Sequence, residues 1–312
     1  MKNKRVVMMG TSEFAVPALK ALAASSYEVT LVVCQPDKPA GRGHKLKPSP
    51  VKQAAVALGL PVFQPANIKT DESIAHLASL KADIFVVASY GQILSQDVLD
   101  IPASGCINIH GSLLPKYRGA APIHRAIIDG ETETGVTFMK MDAGMDTGDM
   151  LKKVACSITD TDTVGAIHDR LADLGAEYIV SVLDDYLDGK LISEAQNNDQ
   201  ATYAAKIDKT TGLIDWNKTA SQIIRLINGT DPYPAAYTDI GGKRIKCFKP
   251  SKTGIKRTKT PGTVMAADTK QGLIIATGDE DLLIGELQAP GKKRMSSKAY
   301  FLGNSLDLKR DE

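Results

Sequence analysis

The chain has little that would staple it or anchor it. Its 312 residues include four cysteines, Cys34, Cys106, Cys156 and Cys247, and no two form a CxxC pair. That spacing argues against a disulfide framework or a thiolate zinc site and for reduced thiols. No apolar run approaches the roughly 20 residues that span a bilayer. The basic start, MKNKRVVMMG, runs into a turn too soon for a signal peptide and reads as a first strand. A cytoplasmic protein without a membrane partner is the expectation. Tryptophan occurs once and aromatics make up 5% of the chain, which leaves few rings for stacking on single-stranded bases. Internal repeats and low-complexity segments are also missing. Neither sign of charge dominates, with 38 Lys+Arg against 36 Asp+Glu. The balance hides an asymmetry: residues 207–312 carry 18 basic and 12 acidic residues, the remainder 20 and 24. A net +6 beside a net −4 suggests that the C-terminal part meets a polyanion.

What is present has a clear order. The length suggests two domains. Arg5–Met9, Tyr27–Cys34, Ile84–Ala88, Cys106–His110 and Val136–Met141 read as short apolar strands. Val16–Ala24, Val51–Leu58, Pro122–Asp129 and Thr163–Leu187 read as helices among them. Near-continuous apolar strands alternating with helices predict a mostly parallel sheet covered on both faces. Residues 197–209 are polar and predict a linker. Helix Ala220–Ile227 follows, then short strands at Ala236–Ile240, Lys243–Phe248, Gly262–Ala267, Gly272–Ala276 and Leu282–Leu287. About five strands with Gly/Pro turns suit a small OB-type barrel. The resulting division is 1–196, a linker at 197–209, and 210–312.

Three segments of the first part carry chemistry. The turn Gly10-Thr-Ser-Glu lacks the second and third glycines of a dinucleotide fingerprint, so a dinucleotide cofactor is not expected. It is either a tight strand-to-helix turn or a substrate contact. In Asn108-Ile109-His110 the period of a strand puts Asn108 and His110 on one face, at the C-terminal strand end where open α/β sheets bind ligands. The loop Met141-Asp-Ala-Gly-Met-Asp-Thr-Gly-Asp149 holds three carboxylates, but not in EF-hand spacing, so no metal is expected. A carboxylate beside a histidine fixes its tautomer and raises its basicity, and Asp146 suits that role for His110. His44, His76, His124 and His168 have no such setting and read as surface or packing residues.

NIHGSLLPKYRGAAP and DAGMDTGDM, with the opening MGTSEFAVPAL, the segment Cys34–Lys52 and the late LQAPGKKRM, resemble the folate-dependent formyltransferases over nearly the whole chain. Ser12, Met145 and Asp231-Pro-Tyr-Pro depart from common family residues. The resemblance implies an α/β fold, with a Rossmann-like, mostly parallel formyltransferase domain followed by an OB-type β-barrel domain. It implies 10-formyltetrahydrofolate as formyl donor and initiator Met-tRNA as partner. The family's catalytic Asn, His and Asp fall on Asn108, His110 and Asp146, and its folate segment on Ser112, Leu113, Leu114 and Pro115. A monomer is expected.

Two basic segments suit a nucleic acid. Gln35–Pro50 carries Lys38, Arg42, Lys45 and Lys47 against one acid, Asp37, and the resemblance implies that it enters the acceptor end of the tRNA with Arg42 at its tip. Lys243–Lys259 has eight basic residues in seventeen and no acid, among them Lys243, Arg244, Lys246 and Lys249. Alternation in KRIKCF points the charges outward and Ile245 and Cys247 inward. With few aromatics, phosphate tracking along a duplex is expected. Two alternatives stay open at this point: a folate formyltransferase acting on a sugar-nucleotide or purine-precursor amine, and a noncatalytic RNA-binding module.

Overall fold

The computed structural model describes residues 4–40, 45–256 and 258–306; Arg42 and His44 lie outside the described residues. In chain order the first elements are β1 (Arg5–Gly10), α1 (Val16–Ala23), β2 (Glu28–Val33), β3 (Lys38–Ala40), β4 (Lys45–Lys47), α2 (Pro50–Ala57), β5 (Val62–Phe63), α3 (Asp71–Ser79), β6 (Ile84–Ala88), α4 (Gln96–Leu99) and β7 (Cys106–His110). There follow β8 (Arg118–Gly119), α5 (Pro122–Asp129), β9 (Glu133–Lys140), β10 (Met150–Ser157), α6 (Val164–Leu187) and β11 (Tyr203–Ala204). Seven strands make one sheet in the order β10-β9-β7-β6-β1-β2-β5. β7, β6, β1, β2 and β5 are parallel, and β9 runs antiparallel to β7. Every residue of β6 is buried, as are the last five of β1, which is why these strands read as unbroken apolar runs. Helix starts follow local chemistry: the side chain of Ser49 accepts from Lys52 N ahead of α2, and that of Thr70 from Ser73 N ahead of α3.

The chain leaves β1 toward β2 on one side and later returns to β6 on the other, so the strand order reverses between β1 and β6. Their C-terminal ends are tied there. Thr11 N donates to Ser89 O at 3.1 Å, Thr11 Oγ1 to Tyr90 O at 2.7 Å and Ser12 Oγ to Ser89 Oγ at 2.8 Å. Gly10 is required at this point, because a Cβ would sit 2.6 Å from Ala15 Cβ and 3.0 Å from Ala88 O.

Three features differ from the expectation. β10 escapes a reading by apolar runs because Lys152 and Lys153 sit in it, as charged residues do in sheet-edge strands. The basic loop is partly a hairpin, with Lys38 opposite Lys47 and Pro39 opposite Leu46. The expected linker 197–209 is not free chain over its first half. Tyr203–Ala204 pairs with Arg118–Gly119, and Arg118 N donates to Thr202 O at 2.8 Å. Backbone pairing and the side chains of Asn198 and Thr202 hold it there.

Two compact units result. One comprises Met1–Gly119, Thr134–Cys156 and His168–Ala204; the other Ala120–Glu133, Ser157–Ile167 and Ala205–Glu312. The second unit therefore includes α5 as well as α7 (Ala220–Asn228), β12 (Tyr237–Ile240), β13 (Lys243–Lys256), β14 (Val264–Asp268), β15 (Gly272–Ala276), β16 (Glu280–Gln288), β17 (Met295–Ser296) and α8 (Ser297–Tyr300). Its strands are antiparallel in the order β12-β13-β16-β15-β14, with β17 beside β16, giving a curled OB-type sheet. Thr219 and Gln222 form a capping box at the start of α7. Ile223 and Ile227 of that helix pack on Ile245, Cys247, Ile275, Leu282 and Leu287.

Phe85 is fully buried at the centre of the first sheet. Phe85→Ala should lower the unfolding free energy by about 3–5 kcal/mol, read as a shifted urea midpoint. An unshifted midpoint would mean that the core around β6 closes over the lost ring.

Candidate active site

β7 delivers Asn108 and His110 to the same face at its C-terminal end. In the ladder Asn108 lies opposite Met139 and His110 opposite Thr137. Asn108 is half-buried, and among the described residues its side-chain amide has no hydrogen-bond partner in the protein. His110 is 6% exposed and tightly held. Its Nε2 is 2.9 Å from Tyr117 O. A carbonyl oxygen only accepts, so Nε2 carries the hydrogen, and Nδ1 of the neutral ring carries the lone pair. Nδ1 lies 3.6 Å from Asp146 Oδ1.

The other Asp146 oxygen, Oδ2, accepts from Gly119 N at 2.8 Å. Asp146 adopts φ 54°, and Tyr117, whose carbonyl holds His110, adopts φ 61°. Such left-handed backbone in side-chain-bearing residues persists where neighbours over-determine it. The other carboxylates of the 141–149 loop have partners of their own. Asp142 accepts from Gly144 N and Thr147 Oγ1, and Asp149 from Ser193 Oγ. Among the described residues, no group of three His, Cys, Asp or Glu could hold a metal ion. His76 and His168 pack edge-on against Phe63 and Phe14.

The four residues of the expected folate segment divide in two. Ser112 is fully buried and donates to Lys116 O at 2.7 Å. Leu114 is also buried and packs on Met139 and Met150. Thr137 Oγ1 donates to Ser112 O at 2.6 Å and accepts from Leu114 N at 3.1 Å, so it pins the segment to β9. Leu113 and Pro115 are half-buried. A cleft of about 330 Å³ opens beside Asp146, lined by Gln92, Ile93, Leu94, Met139 and residues 141–146. Its size and apolar walls with a carboxylate rim suit a flat ligand of folate type. Leu114 stands behind this wall through Met139. Sequence patterns do not single out the lining residues 92–94, because a short apolar run in a loop has no chemical signature of its own.

The basic residues are spread over both units. In the first unit, Lys38 and Lys47 line a cleft of about 470 Å³ with Thr11, Ser12 and Gln35. Nothing is described for Arg42 or for the Lys45 side chain. The hairpin base is anchored by Asp37, which takes Gln64 Nε2 at 2.8 Å and Lys52 Nζ at 2.7 Å. The Gln64 hydrogen bond, then the Lys52 one, hold the Asp37 carboxyl below the usual carboxylate range. In the second unit, Ile245 and Cys247 are buried as expected, and Lys243, Arg244 and Lys249 are exposed. The segment itself has no acid, but neighbouring strands supply some. Arg244 Nε lies 3.6 Å from Asp239 and its guanidinium sits over the Tyr237 ring. Lys249 pairs with Glu286 at 2.6 Å, a contact that keeps the Glu286 carboxyl low.

Comparison with known proteins agrees over both halves. The family model described as formyl transferase matches residues 4–183, and the model for the formyl transferase C-terminal domain matches 206–305. The chain is 46% identical to a methionyl-tRNA formyltransferase of Alkaliphilus metalliredigens, over 97% of this chain and 96% of that protein. It is 48% identical to one of Marinobacter nauticus, over 94% of each. An N-formyltransferase structure from Helicobacter canadensis, in complex with folinic acid and dTDP-3-aminofucose, shares the fold with a TM-score of 0.67 at 20% identity, covering 90% of this chain and 99% of that one.

Gly148 backs directly onto the Lys140 carbonyl, where a Cβ has no room. Gly148→Ala should cost about 1–3 kcal/mol, seen as a lower thermal midpoint. It should also slow formyl transfer by displacing Asp146. A variant with native midpoint and rate would show that the loop tolerates the shift.

Proposed function

The chain belongs to the formyl transferase family, and from that premise we propose that Asn108 and His110 are its catalytic residues and that Asp146 positions the histidine. The reaction is that of methionyl-tRNA formyltransferases: the formyl group of 10-formyltetrahydrofolate passes to the free amine of methionine on initiator Met-tRNA. The observation that carries the assignment is the shared face of Asn108 and His110 at the end of β7, with the His110 ring held between Tyr117 O and Asp146.

The chemistry needs no covalent enzyme intermediate. The neutral amine of methionine attacks the formyl carbon, and a tetrahedral centre with an oxyanion forms. The Asn108 amide, with no partner among the described residues, donates to that oxygen. His110 Nδ1 takes the proton that the amine loses, and the new N–H then faces the Asp146 carboxylate. As the bond to the folate nitrogen breaks, His110 returns a proton to it. The folate ring lies in the cleft of Gln92–Leu94, Met139 and residues 141–146, with the Ser112–Pro115 segment shaping its wall.

By the same reading, residues 1–196 act as the catalytic domain, 210–312 as the tRNA-binding domain, and 197–209 connect them. Lys38, Arg42, Lys45 and Lys47 meet the acceptor end of the tRNA, and Lys243, Arg244, Lys246 and Lys249 its phosphates. The protein acts as a monomer in the cytoplasm. No helix among the described residues is long and apolar enough to cross a membrane.

Formylation of Met-tRNA, beside free methionine and uncharged tRNA, tests the reading. His110→Ala should lower kcat by about 10²–10⁴-fold, and Asn108→Ala by about 10²–10³-fold. A His110→Ala enzyme with native kcat sinks the assignment, and formylation of some other amine in place of Met-tRNA sinks the acceptor. Lys38→Ala/Lys47→Ala should weaken tRNA binding and reduce the slope of log K against log salt by roughly one for each phosphate that is no longer neutralised. Unchanged binding across the salt series would remove these two lysines from the interface.

A further inference from the structure

Asp146 holds its left-handed backbone with help from far away in the chain. Gln196 Nε2 donates to Asp146 O at 2.8 Å and to Gly148 O at 2.7 Å. The Gln196 side-chain oxygen accepts from Arg118 Nε at 2.9 Å and from Arg118 Nη2 at 2.8 Å. Both N–H groups and both lone pairs of that amide are thereby used. Arg118 is 2% exposed, and its Nη2 also reaches Asn198 Oδ1 at 2.8 Å. It directly precedes Gly119, whose N–H holds the Asp146 carboxylate. One short strand, β8, therefore grips Asp146 twice: at the carboxylate directly, and at the carbonyl through Gln196.

The choice of residue at 196 is informative. A buried guanidinium against amide oxygens lacks the opposite charge that normally compensates it. Glutamate at 196 would give Arg118 a carboxylate at the same reach. It would also turn an oxygen toward the carbonyls of Asp146 and Gly148, where two N–H donors now sit. Charge compensation alone therefore favours Glu, and holding the loop requires Gln.

We propose that Gln196, backed by Arg118, is a positioning residue for Asp146 and through it for the His110 ring. This rests on the reading of Asp146 given above. With Gln196 in place, the Asp146 carbonyl and carboxylate are both fixed, so Oδ1 stays facing Nδ1 of His110.

The test is formyl transfer to Met-tRNA by Gln196→Glu and Gln196→Leu, each also in an Asp146→Asn background, together with thermal unfolding. Gln196→Glu should lower kcat about tenfold or more, with KM for Met-tRNA and for the folate held within about twofold. Its unfolding midpoint should not fall, which separates positioning from mere stability. In the Asp146→Asn background neither substitution should slow the enzyme further, because they act through the same group. The Glu variant carries the test if the Leu variant fails to fold. A native kcat in Gln196→Glu beside a slow Asp146→Asn overturns the positioning role alone. So does a loss that persists in full in the Asp146→Asn background. A native kcat in Asp146→Asn itself overturns the reading of Asp146.

Discussion

The carbonyl of Tyr117 constrains the whole candidate site. It can only accept, so it decides which nitrogen of His110 carries the hydrogen and turns the other toward Asp146. That carbonyl points correctly because Tyr117 is held at φ 61° with its N–H donated to Thr202 Oγ1 at 2.9 Å. Ser112 ties down the same turn from inside through Lys116 O, and Thr137 ties Ser112 and Leu114 to the neighbouring strand. The His110 ring, 6% exposed, is thus held from the turn at Nε2 and faces Asp146 at Nδ1. Preorganisation of this kind leaves little to rearrange when charge develops in the reaction.

The sheet supplies the rest of the precision. β7 is flanked by parallel β6 and antiparallel β9: Asn108 is paired on both sides, opposite Val87 and Met139, and His110 on the β9 side, opposite Thr137. A strand is stiffer than a loop, and the two residues proposed to act directly on the reacting groups are on the strand. Asp146, the residue proposed to act through another, is on a loop that must be fastened separately. The fastening comes from Gly119 and Gln196, which are neighbours of Asp146 only because β8 and the 196–204 segment run beside it.

This division also explains what could be read in the sequence. Asn108 and His110 are legible because the strand period is two and both side chains carry reactive groups. Asp146 is legible as one of three carboxylates in a glycine-bearing loop, though spacing alone does not separate it from Asp142 and Asp149; the fold does, by giving those two other partners and setting Asp146 beside His110. The central strands are legible because burial on both faces makes them apolar throughout. β10 is not, since two adjacent lysines, Lys152 and Lys153, break the apolar run of this edge strand. Gln196 carries no signature at all: its partners are Arg118, 78 residues away, and Asp146, 50 residues away. An amide means nothing until the fold puts donors and acceptors around it. The cleft at Gln92–Leu94 is hidden for a similar reason, since apolar loop residues become a wall only when Met139 and the 141–146 turn close the other side.

The basic segment of the second unit shows how a correct reading of charge still misses its state. Counted along the chain, Lys243–Lys259 is uniformly positive. In space, Lys249 meets Glu286, Lys252 meets Glu280 and Arg244 meets Asp239. Arg294 bridges Glu286 and Asp231. Lys243 and Lys246 have no ion-pair partner among the described residues. Exposed pairs are worth at most about 1 kcal/mol, so a phosphate can displace the carboxylate. The two kinds of cation nevertheless behave differently toward salt. A free lysine that binds phosphate releases a counterion condensed on the nucleic acid and steepens the salt slope. A paired lysine that does the same also frees a carboxylate, which recruits cations from solution and flattens that slope. Under the proposed tRNA contacts, the salt slope of binding therefore undercounts phosphates at Arg244 and Lys249 relative to those at Lys243 and Lys246. The acids of β16 hold the side chains of Lys249, Lys252 and Arg294 in place, while Lys243 and Lys246 stand without an ion-pair partner among the described residues.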